Sequence, residues 1–334
     1  MARDASGKKS DVPVLGGTLC GEDNNRDGSS TSIPTKLFSL PERHSGFRYG
    51  GLNGCTSRQS NLPPWISLSR TRLGARMPSL PMSASSDYNF AILDETEDWL
   101  VVDKPAPLQI HPSKPSDAGL TLWDGIRELL AYELANGGQV SIINRLDRET
   151  SGVVLVAKTG PAARRLGKAM MRRQMDKTYL AVVAGWPEWE ETTVTAPILR
   201  QGDVMDSRIW VKQRVDERGV PCESHFQVRE RHETHRGRFS LVECAPHTGR
   251  MHQLRVHLAH LGHYVVGDKI YGPSEDCYLE FIETGWTPRL EAQLLLPRQA
   301  LHSHRLILDD GQGRQEWVAP LPEALGTFLS SARP

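Results

Sequence analysis

The pattern of apolar and polar positions predicts that ordered structure begins near Tyr88. A short apolar run, Leu100–Val102, is closed by Asp103-Lys104-Pro105 and predicts a strand. The segment TLWDGIRELLAYELA has apolar residues at helical spacing and is followed by Gly137-Gly138, which predicts an amphipathic helix and its end. The continuous apolar run GVVLVA predicts a buried strand.

The second half of the chain continues with both kinds of pattern. PAARRLGKAMMRRQM predicts a helix with Pro161 in its first turn, and MHQLRVHLAHLG predicts another that ends at Gly262. Strands are predicted for TYLAVVAGWP, SRIWVKQRV, ESHFQVRER, RFSLVECAP and QALHSHRLIL. Because several strands follow one another with helices interspersed, the pattern favours an α+β domain with a largely antiparallel sheet.

Residues 1–86 differ from the rest of the chain. Gly, Ser, Asn and Pro dominate, and no helical or strand period is visible. Two interpretations stay open: a disordered or transit-like leader, or upstream sequence read from a wrongly assigned start, since Met77 and Met82 precede the ordered pattern. We therefore expect residues 1–86 to be a leader or mis-assigned start and residues 87–334 to form one domain.

Composition excludes several classes of protein. The chain has 334 residues, of which 38% are hydrophobic and 24% charged, and no apolar run approaches the ~18 residues of a membrane span. Met1 is followed by polar residues rather than by a signal peptide's apolar segment. Five widely spaced cysteines without a CxxC pattern argue against a disulfide framework. A cytoplasmic protein is expected, and the net charge of zero does not decide whether it binds nucleic acid.

The densest polar cluster is INRLDRETSG, which leads directly into the buried strand GVVLVA. A loop anchored by a buried strand can hold the Asp147 carboxylate rigidly, as a nucleophile or general base requires. The alternative is a solvated turn in which Asp147 and Thr150 bind nearby backbone groups.

A second cluster, HTGRMHQLRVHLAHLGHYVVGDKIYG, has Arg250 and Arg255 on either side of His252 and further histidines at 257, 260 and 263. A zinc site is one interpretation, but neither HExxH nor an interleaved carboxylate accompanies the histidines. Packed or phosphate-facing histidines fit this pattern better.

The helix after Pro161 has a third cluster, a basic stripe formed by Arg164, Lys168 and Arg172, with Arg165 and Arg173 beside it. A solvated charged face is the usual explanation of such a stripe. The alternative is a contact with a phosphate backbone, because no acidic residue interrupts the helix before Asp176. P-loop, GxSxG and GxGxxG patterns do not occur, so no nucleotide or redox cofactor is expected.

Together these segments resemble the RluA-type family of pseudouridine synthases from about Phe90 to Leu308. LVVDKPAPLQIHP resembles the first motif of the family, and INRLDRETSGVVLVAKT its signature loop, usually written HRLDxxTSG. Three further segments resemble the remaining motifs in the same order: KTYLAVVAGWP, the histidine-rich cluster and ALHSHRLIL. The resemblance implies a pseudouridine synthase-like catalytic domain, with a mainly antiparallel mixed sheet flanked by helices and an active-site cleft.

The resemblance also implies roles for individual residues. Asp147 matches the catalytic aspartate, Tyr179 the tyrosine that packs against the target base, and Arg255, rather than Arg250, the arginine that pairs with the aspartate. Arg145 matches the arginine that fills the space left by the flipped uridine. Asn144 stands where the family usually has His, which predicts tuning of the loop or of an RNA contact rather than loss of activity. The expected RNA contacts are Arg145, Arg148, Arg164, Lys168, Arg172 and Arg250.

The implied activity is isomerisation of specific uridines in rRNA or tRNA, without a metal or other cofactor and without a membrane, by a protein expected to be a monomer. The target base must leave its stack, which costs a few kcal/mol that the pocket must offset. Two alternatives belong to other classes. One is a catalytically silent RNA-binding or ribosome-assembly protein of the same fold, and the other is a histidine metalloenzyme acting on phosphoesters.

Overall fold

The computed structural model describes residues 90–331 of the chain. The interpretation of residues 1–86 as a leader or mis-assigned start therefore lies outside the described residues. Within the described part, no helix is both long and apolar enough to cross a membrane.

A mixed sheet forms the centre of the fold, in the order β1-β2-β4-β11-β5-β10-β9-β6, with β3 beside β4 and β12 beside β11. Among the described pairs only β4 and β11 run parallel, and a separate hairpin is formed by β7 and β8. The strands are β1 Ala91–Glu95, β2 Trp99–Lys104, β3 Ser141–Ile142, β4 Ser151–Ala157, β5 Met175–Ala184, β6 Glu191–Val194, β7 Ile198–Arg200, β8 Gln213–Val215, β9 Ser224–Thr234, β10 Gly237–Pro246, β11 Leu301–Asp309 and β12 Arg314–Val318.

Helices flank the sheet, so the predicted α+β class with a mainly antiparallel sheet is confirmed. The helices are α1 Leu122–Leu129, α2 Ala131–Ala135, α3 Gly160–Met171, α4 Gln253–His260, α5 Asp276–Thr284, α6 Pro288–Leu294 and α7 Glu323–Ser330. Local caps define two of the starts. The Thr121 side chain accepts from the Asp124 N–H at α1, and the Thr159 side chain accepts from the Ala162 N–H at α3.

Strand β4 explains the continuous apolar run in the sequence, because all seven of its residues are buried. Val153, Leu155 and Ala157 pack in the cluster that contains α3, whereas Val154 and Val156 pack in the cluster that contains α1. Helices therefore cover both faces of this strand. The loop that precedes β4 is consequently anchored to a fully buried strand.

Three predicted elements differ from the structure. The predicted helix TLWDGIRELLAYELA is divided at Leu130 into α1 and α2, and α3 ends at Met171, since Met175 already begins β5. The predicted strand SRIWVKQRV was wrong except for Gln213–Val215. Its alternating apolar residues serve packing instead: Ile209 is buried against Val256, although the backbone there is irregular.

Candidate active site

A cleft of about 680 Å³ opens where four segments meet: the loop before β4, the junction of α3 and β5, the loop between β10 and α4, and the first turn of α4. Asp147, Tyr179 and Arg255, which are distant in sequence, all line this cleft. The sheet order accounts for their proximity, because β11 lies between β4 and β5, and β10 lies on the other side of β5.

The loop that carries Asp147 is fixed from several sides. The backbone oxygen of Arg148 accepts from the Leu108 N–H at 2.9 Å and from the Lys104 ammonium at 3.3 Å. Lys104 is fully buried, and desolvation lowers its pKa to about 7. On the other side, Lys269 donates to the Glu149 carboxylate at 2.6 Å. These contacts give Asp147 a defined position before any substrate binds.

The last residue of the signature loop, Gly152, has a position and a backbone conformation that only glycine fits. Its φ is +114°, and a Cβ built there would lie 2.1 Å from the backbone oxygen of Ser303 on β11. Glycine therefore permits β4 and β11 to approach each other directly behind the Asp147 loop.

Asn144, at the position where the family usually has His, is buried and bound to the strand that follows. Its Nδ2 donates to the Val153 backbone oxygen at 2.9 Å, and its Oδ1 accepts from the Leu155 N–H at 2.8 Å. The side chain thus ties the start of the loop to β4. This geometry agrees with a role in the loop rather than in chemistry.

Arg255 lies on α4 and contacts two carboxylates. Its Nη1 donates to Asp147 Oδ2 at 2.8 Å, while its Nε and Nη2 donate to Asp268 at 2.6 and 2.8 Å. Asp268 is fully buried and also accepts from the backbone N–H groups of Ile270 and Tyr271. Arg250 does not share this position, since it is exposed on the loop before α4.

Electrostatics favour the charged form of both partners. Desolvation works to raise the pKa of Asp147, but Arg255 and then His252 outweigh it, and the pKa lies below its ordinary value. Burial works to lower the pKa of Arg255, and Asp268 and Asp147 reverse this effect. An ionised carboxylate, with its side chain 34% exposed, therefore faces the cleft.

Two further residues of the site, His252 and Tyr271, were not assigned from the sequence. His252 has a left-handed backbone with φ 57°, and its Nδ1 lies 2.8 Å from the Tyr271 hydroxyl. Its Nε2 lies 4.0 Å from Asp147 Oδ2, and desolvation together with Arg255 lowers its pKa to about 4. Tyr271 belongs to the segment GDKIYG. The acidic Asp268 and the aromatic Tyr271, three residues apart in this segment, were the sequence feature that could have indicated these site residues.

Tyr179 lies on β5 opposite Ser303 of β11 and lines the cleft beside Asp147. Burial raises the pKa of its phenol to about 12, although a hydrogen bond with Ser303 acts in the opposite direction. The ring is therefore neutral at physiological pH and presents a stacking surface rather than a charge.

The residues expected to contact RNA fall into two groups. Arg145 and Arg250 line the cleft, and both are exposed. Arg148 is exposed but does not line the cleft. The basic stripe of Arg164, Lys168 and Arg172 is also exposed and lies outside the cleft lining, on α3 and at its C-terminal end.

Two histidines of the second cluster, His257 and His263, contact backbone or side-chain oxygens. His257 is fully buried, with Nδ1 3.0 Å from Ser224 Oγ and Nε2 2.9 Å from the Ala196 oxygen. His263 Nδ1 lies 2.9 Å from the Ala184 oxygen. Over residues 90–331, no group of three His, Cys, Asp or Glu side chains converges as metal ligands would. Packing accounts for His257 and His263, whereas His260 is exposed.

The chain is similar to proteins of known class. It is 34% identical over 249 residues to the ribosomal large subunit pseudouridine synthase D of Nitrosomonas europaea, covering 72% of this chain and 65% of that protein. It is 34% identical to the protein of the same name from Pseudomonas aeruginosa, covering 75% and 73%. A human pseudouridylate synthase is 36% identical over 65% of this chain and 37% of its own length. The chain thus spans between 37% and 73% of these relatives.

Solved structures and a family model agree with these relatives. The fold matches the human RNA pseudouridylate synthase domain containing 1 with a TM-score of 0.54 and 26% identity, covering 72% of this chain and 86% of that one. The human domain containing 4 matches with the same TM-score and 25% identity, covering 72% and 92%. The family model described as RNA pseudouridylate synthase matches residues 98–260, which include all three expected catalytic residues. The resemblance seen in the sequence is confirmed, and the chain belongs to the RNA pseudouridylate synthase family.

Proposed function

We propose that this protein is an RNA pseudouridine synthase, an isomerase that converts specific uridines of rRNA or tRNA to pseudouridine. The observation that carries the proposal is the ion pair between Asp147 and Arg255, joined at 2.8 Å on the lining of a cleft that also contains Tyr179. Membership of the family supports the reaction class.

The reaction needs a carboxylate and no external group. The bond between N1 of uracil and C1′ of the ribose breaks, the base turns, and C5 becomes joined to C1′. C5 then loses a proton and N1 gains one, so the composition of the nucleotide is unchanged. The Asp147 carboxylate can attack the sugar or the base, or assist formation of an unsaturated sugar. Each of these routes requires its ionised form, which Arg255 favours.

Two side chains are assigned to the nucleotide whose base leaves the stacked RNA. Tyr179 offers a neutral aromatic face beside Asp147, which can offset part of the stacking that the base loses. Arg145 is exposed on the same loop as Asp147, and we assign it to the space that the base vacates in the RNA.

The remaining basic residues are proposed to bind the RNA outside the reacting nucleotide. Arg250 lies on the cleft rim, and Arg148 and the basic stripe of Arg164, Lys168 and Arg172 are exposed beyond it. Arginine and lysine at such positions bind phosphates without reading the base sequence. We further propose that the protein acts as a monomer in the cytoplasm without a cofactor.

The activity is tested with the purified full chain and an unmodified transcript of large-subunit ribosomal RNA, with a tRNA transcript mixture in parallel. We expect pseudouridine in at least one of these RNAs. Chemical mapping of cellular RNA with and without the gene then identifies the modified position. Absence of pseudouridine in both RNAs, together with identical cellular maps, would contradict the proposal and favour the silent RNA-binding alternative.

A further inference from the structure

Arg173 has a backbone conformation that arginine rarely adopts. Helix α3 ends at Met171, and Arg173 follows with φ 58°, while the Gln174 N–H closes the helix end on the Ala169 oxygen at 2.9 Å. Glycine usually occupies this left-handed position after a helix, because a Cβ is unfavourable there. Strained residues of this kind cluster at functional positions.

Arg173 belongs to the lining of the cleft. Arg173 is exposed and lines the cleft, unlike its neighbour Arg172 in the basic stripe. Within residues 90–331 it has no hydrogen bond or ion pair with another side chain. Arg173 therefore brings an unpaired charge to the cleft lining, where Arg172 is absent.

Lys177 adds a second unpaired cation to the same wall. It lies on β5, two residues before Tyr179, and lines the cleft opposite Gly249. A Cβ at Gly249 would lie 3.7 Å from the Lys177 ammonium. No carboxylate in the described residues pairs with Lys177, and burial lowers the pKa of its ammonium. A half-buried ammonium without a counter-charge is unfavourable unless an anion binds beside it.

The balance of charge in the lining is positive. Asp147 is already paired with Arg255, so Asp176 is the one further carboxylate among the described lining residues. Arg173 and Lys177 thus share the cleft lining with Asp147 and form no ion pair with it.

We infer that Arg173 and Lys177 bind the RNA phosphodiester adjacent to the nucleotide in the cleft. This inference rests on the proposed function, and it assigns a phosphate subsite at the cleft mouth, separate from the basic stripe on α3. A nucleotide that enters the cleft brings its flanking phosphates to the rim, where a planar guanidinium can bind two oxygens and an ammonium can supply a point charge. The base itself contacts the ring of Tyr179 in this arrangement.

Arg173→Gly separates this role from a structural one, because stability and binding are expected to change in opposite directions. Glycine relieves the left-handed strain, so Tm should rise by about 2 °C. Loss of the guanidinium should weaken binding of a fluorescent oligouridylate dodecamer about tenfold and lower the slope of log affinity against log salt by about 0.7. Arg314→Gln, which removes an exposed arginine from β12, is the matched charge control and should leave the affinity unchanged.

A charge at the end of a helix can also act only through the helix dipole. In that case Arg173→Gly would leave the oligouridylate affinity and salt slope unchanged, whatever its effect on Tm, and this outcome would overturn the inference. Lys177→Met provides the second measurement: it should weaken binding without loss of Tm, since an uncompensated ammonium is removed from a half-buried position. Unchanged binding by this variant would remove Lys177 from the subsite.

A phosphate contact is distinguished from a base contact by the probe. Oligouridylate with neutral methylphosphonate linkages should bind the wild-type protein more weakly than the phosphodiester does, and Arg173→Gly should reduce that difference. An undiminished difference would contradict the assignment. Failure of the proposed function is a separate result, because it would be seen as absence of pseudouridine with the wild-type protein while these binding measurements remain readable.

Discussion

Arg255 donates a hydrogen bond from Nη1 to Oδ2 of Asp147 at 2.8 Å, while Asp268 holds the other side of the same guanidinium. The two carboxylates differ in exposure: the Asp147 side chain is 34% exposed and the Asp268 side chain is fully buried. Asp268 therefore fixes the plane of the guanidinium, and Asp147 is the carboxylate that remains open to the cleft.

Asp147→Asn is expected to abolish pseudouridine formation and to leave Tm and RNA affinity nearly unchanged. The amide keeps the shape of the side chain but removes the charge that every proposed route requires. Single-turnover assays on an RNA that the wild-type protein modifies would measure the loss. A residual rate within about tenfold of wild type, equivalent to ~1.4 kcal/mol in barrier, would contradict the assigned role.

Tyr179→Phe is expected to retain most of the RNA affinity, because the stacking ring is kept. Tyr179→Ala should lose a stacking contribution of about 1–3 kcal/mol. Fluorescence titration of both variants with the same RNA compares them directly. Equal affinities of the two variants would show that the ring does not contact a base.

Arg255→Ala is expected to reduce both activity and stability. Removing the arginine leaves the fully buried Asp268 without its counter-charge, at a cost of about 3–5 kcal/mol in the free energy of unfolding. Denaturant unfolding measures this cost. Asp268→Asn in the Arg255→Ala background should recover more stability than Asp147→Asn in the same background, because Asp147 is partly solvated. Equal recovery by both second substitutions would contradict this difference.

Stability is expected to fall when the pH is lowered from 7 to 5, in part through His302. Its ring is fully buried between Ser151 Oγ and the Ala319 oxygen, and desolvation lowers its pKa to about 4. The unfolded chain takes up a proton near pH 6.5 and the folded state does not, so the unfolding free energy decreases as the pH falls below that value. His302→Gln should flatten this dependence in urea unfolding. A His302→Gln profile parallel to wild type would exclude the residue as a cause.

Neutralising Arg164, Lys168 and Arg172 together is expected to lower the salt dependence of RNA binding. If each side chain contacts one phosphate, the slope of log affinity against log salt should decrease by about 2. Binding of a structured rRNA transcript across a salt series measures this slope. An unchanged slope would mean that the basic stripe only faces solvent.

The α+β class and the candidate residues of the active site could both be predicted from the residue pattern and the family resemblance. Helices cover both faces of β4, so its residues are apolar without interruption, and this run predicted a buried strand. The loop before it was identified by its dense polar residues. The alternating apolar residues of SRIWVKQRV predicted a strand that forms only at Gln213–Val215. Ile209 is apolar because it packs against the rest of the domain, and the backbone there is irregular.

The contacts between charged residues of the site follow from how the strands and helices pair. Asp147 and Arg255 are separated by 108 residues, and their contact depends on the order of strands in the sheet, which local pattern does not encode. The same holds for Asp268, which is buried against Arg255. It also holds for Arg173, which lines the cleft while its neighbour Arg172 does not. Spacing along a chain predicts neighbours on one element, whereas the pairing of elements determines which side chains share a site.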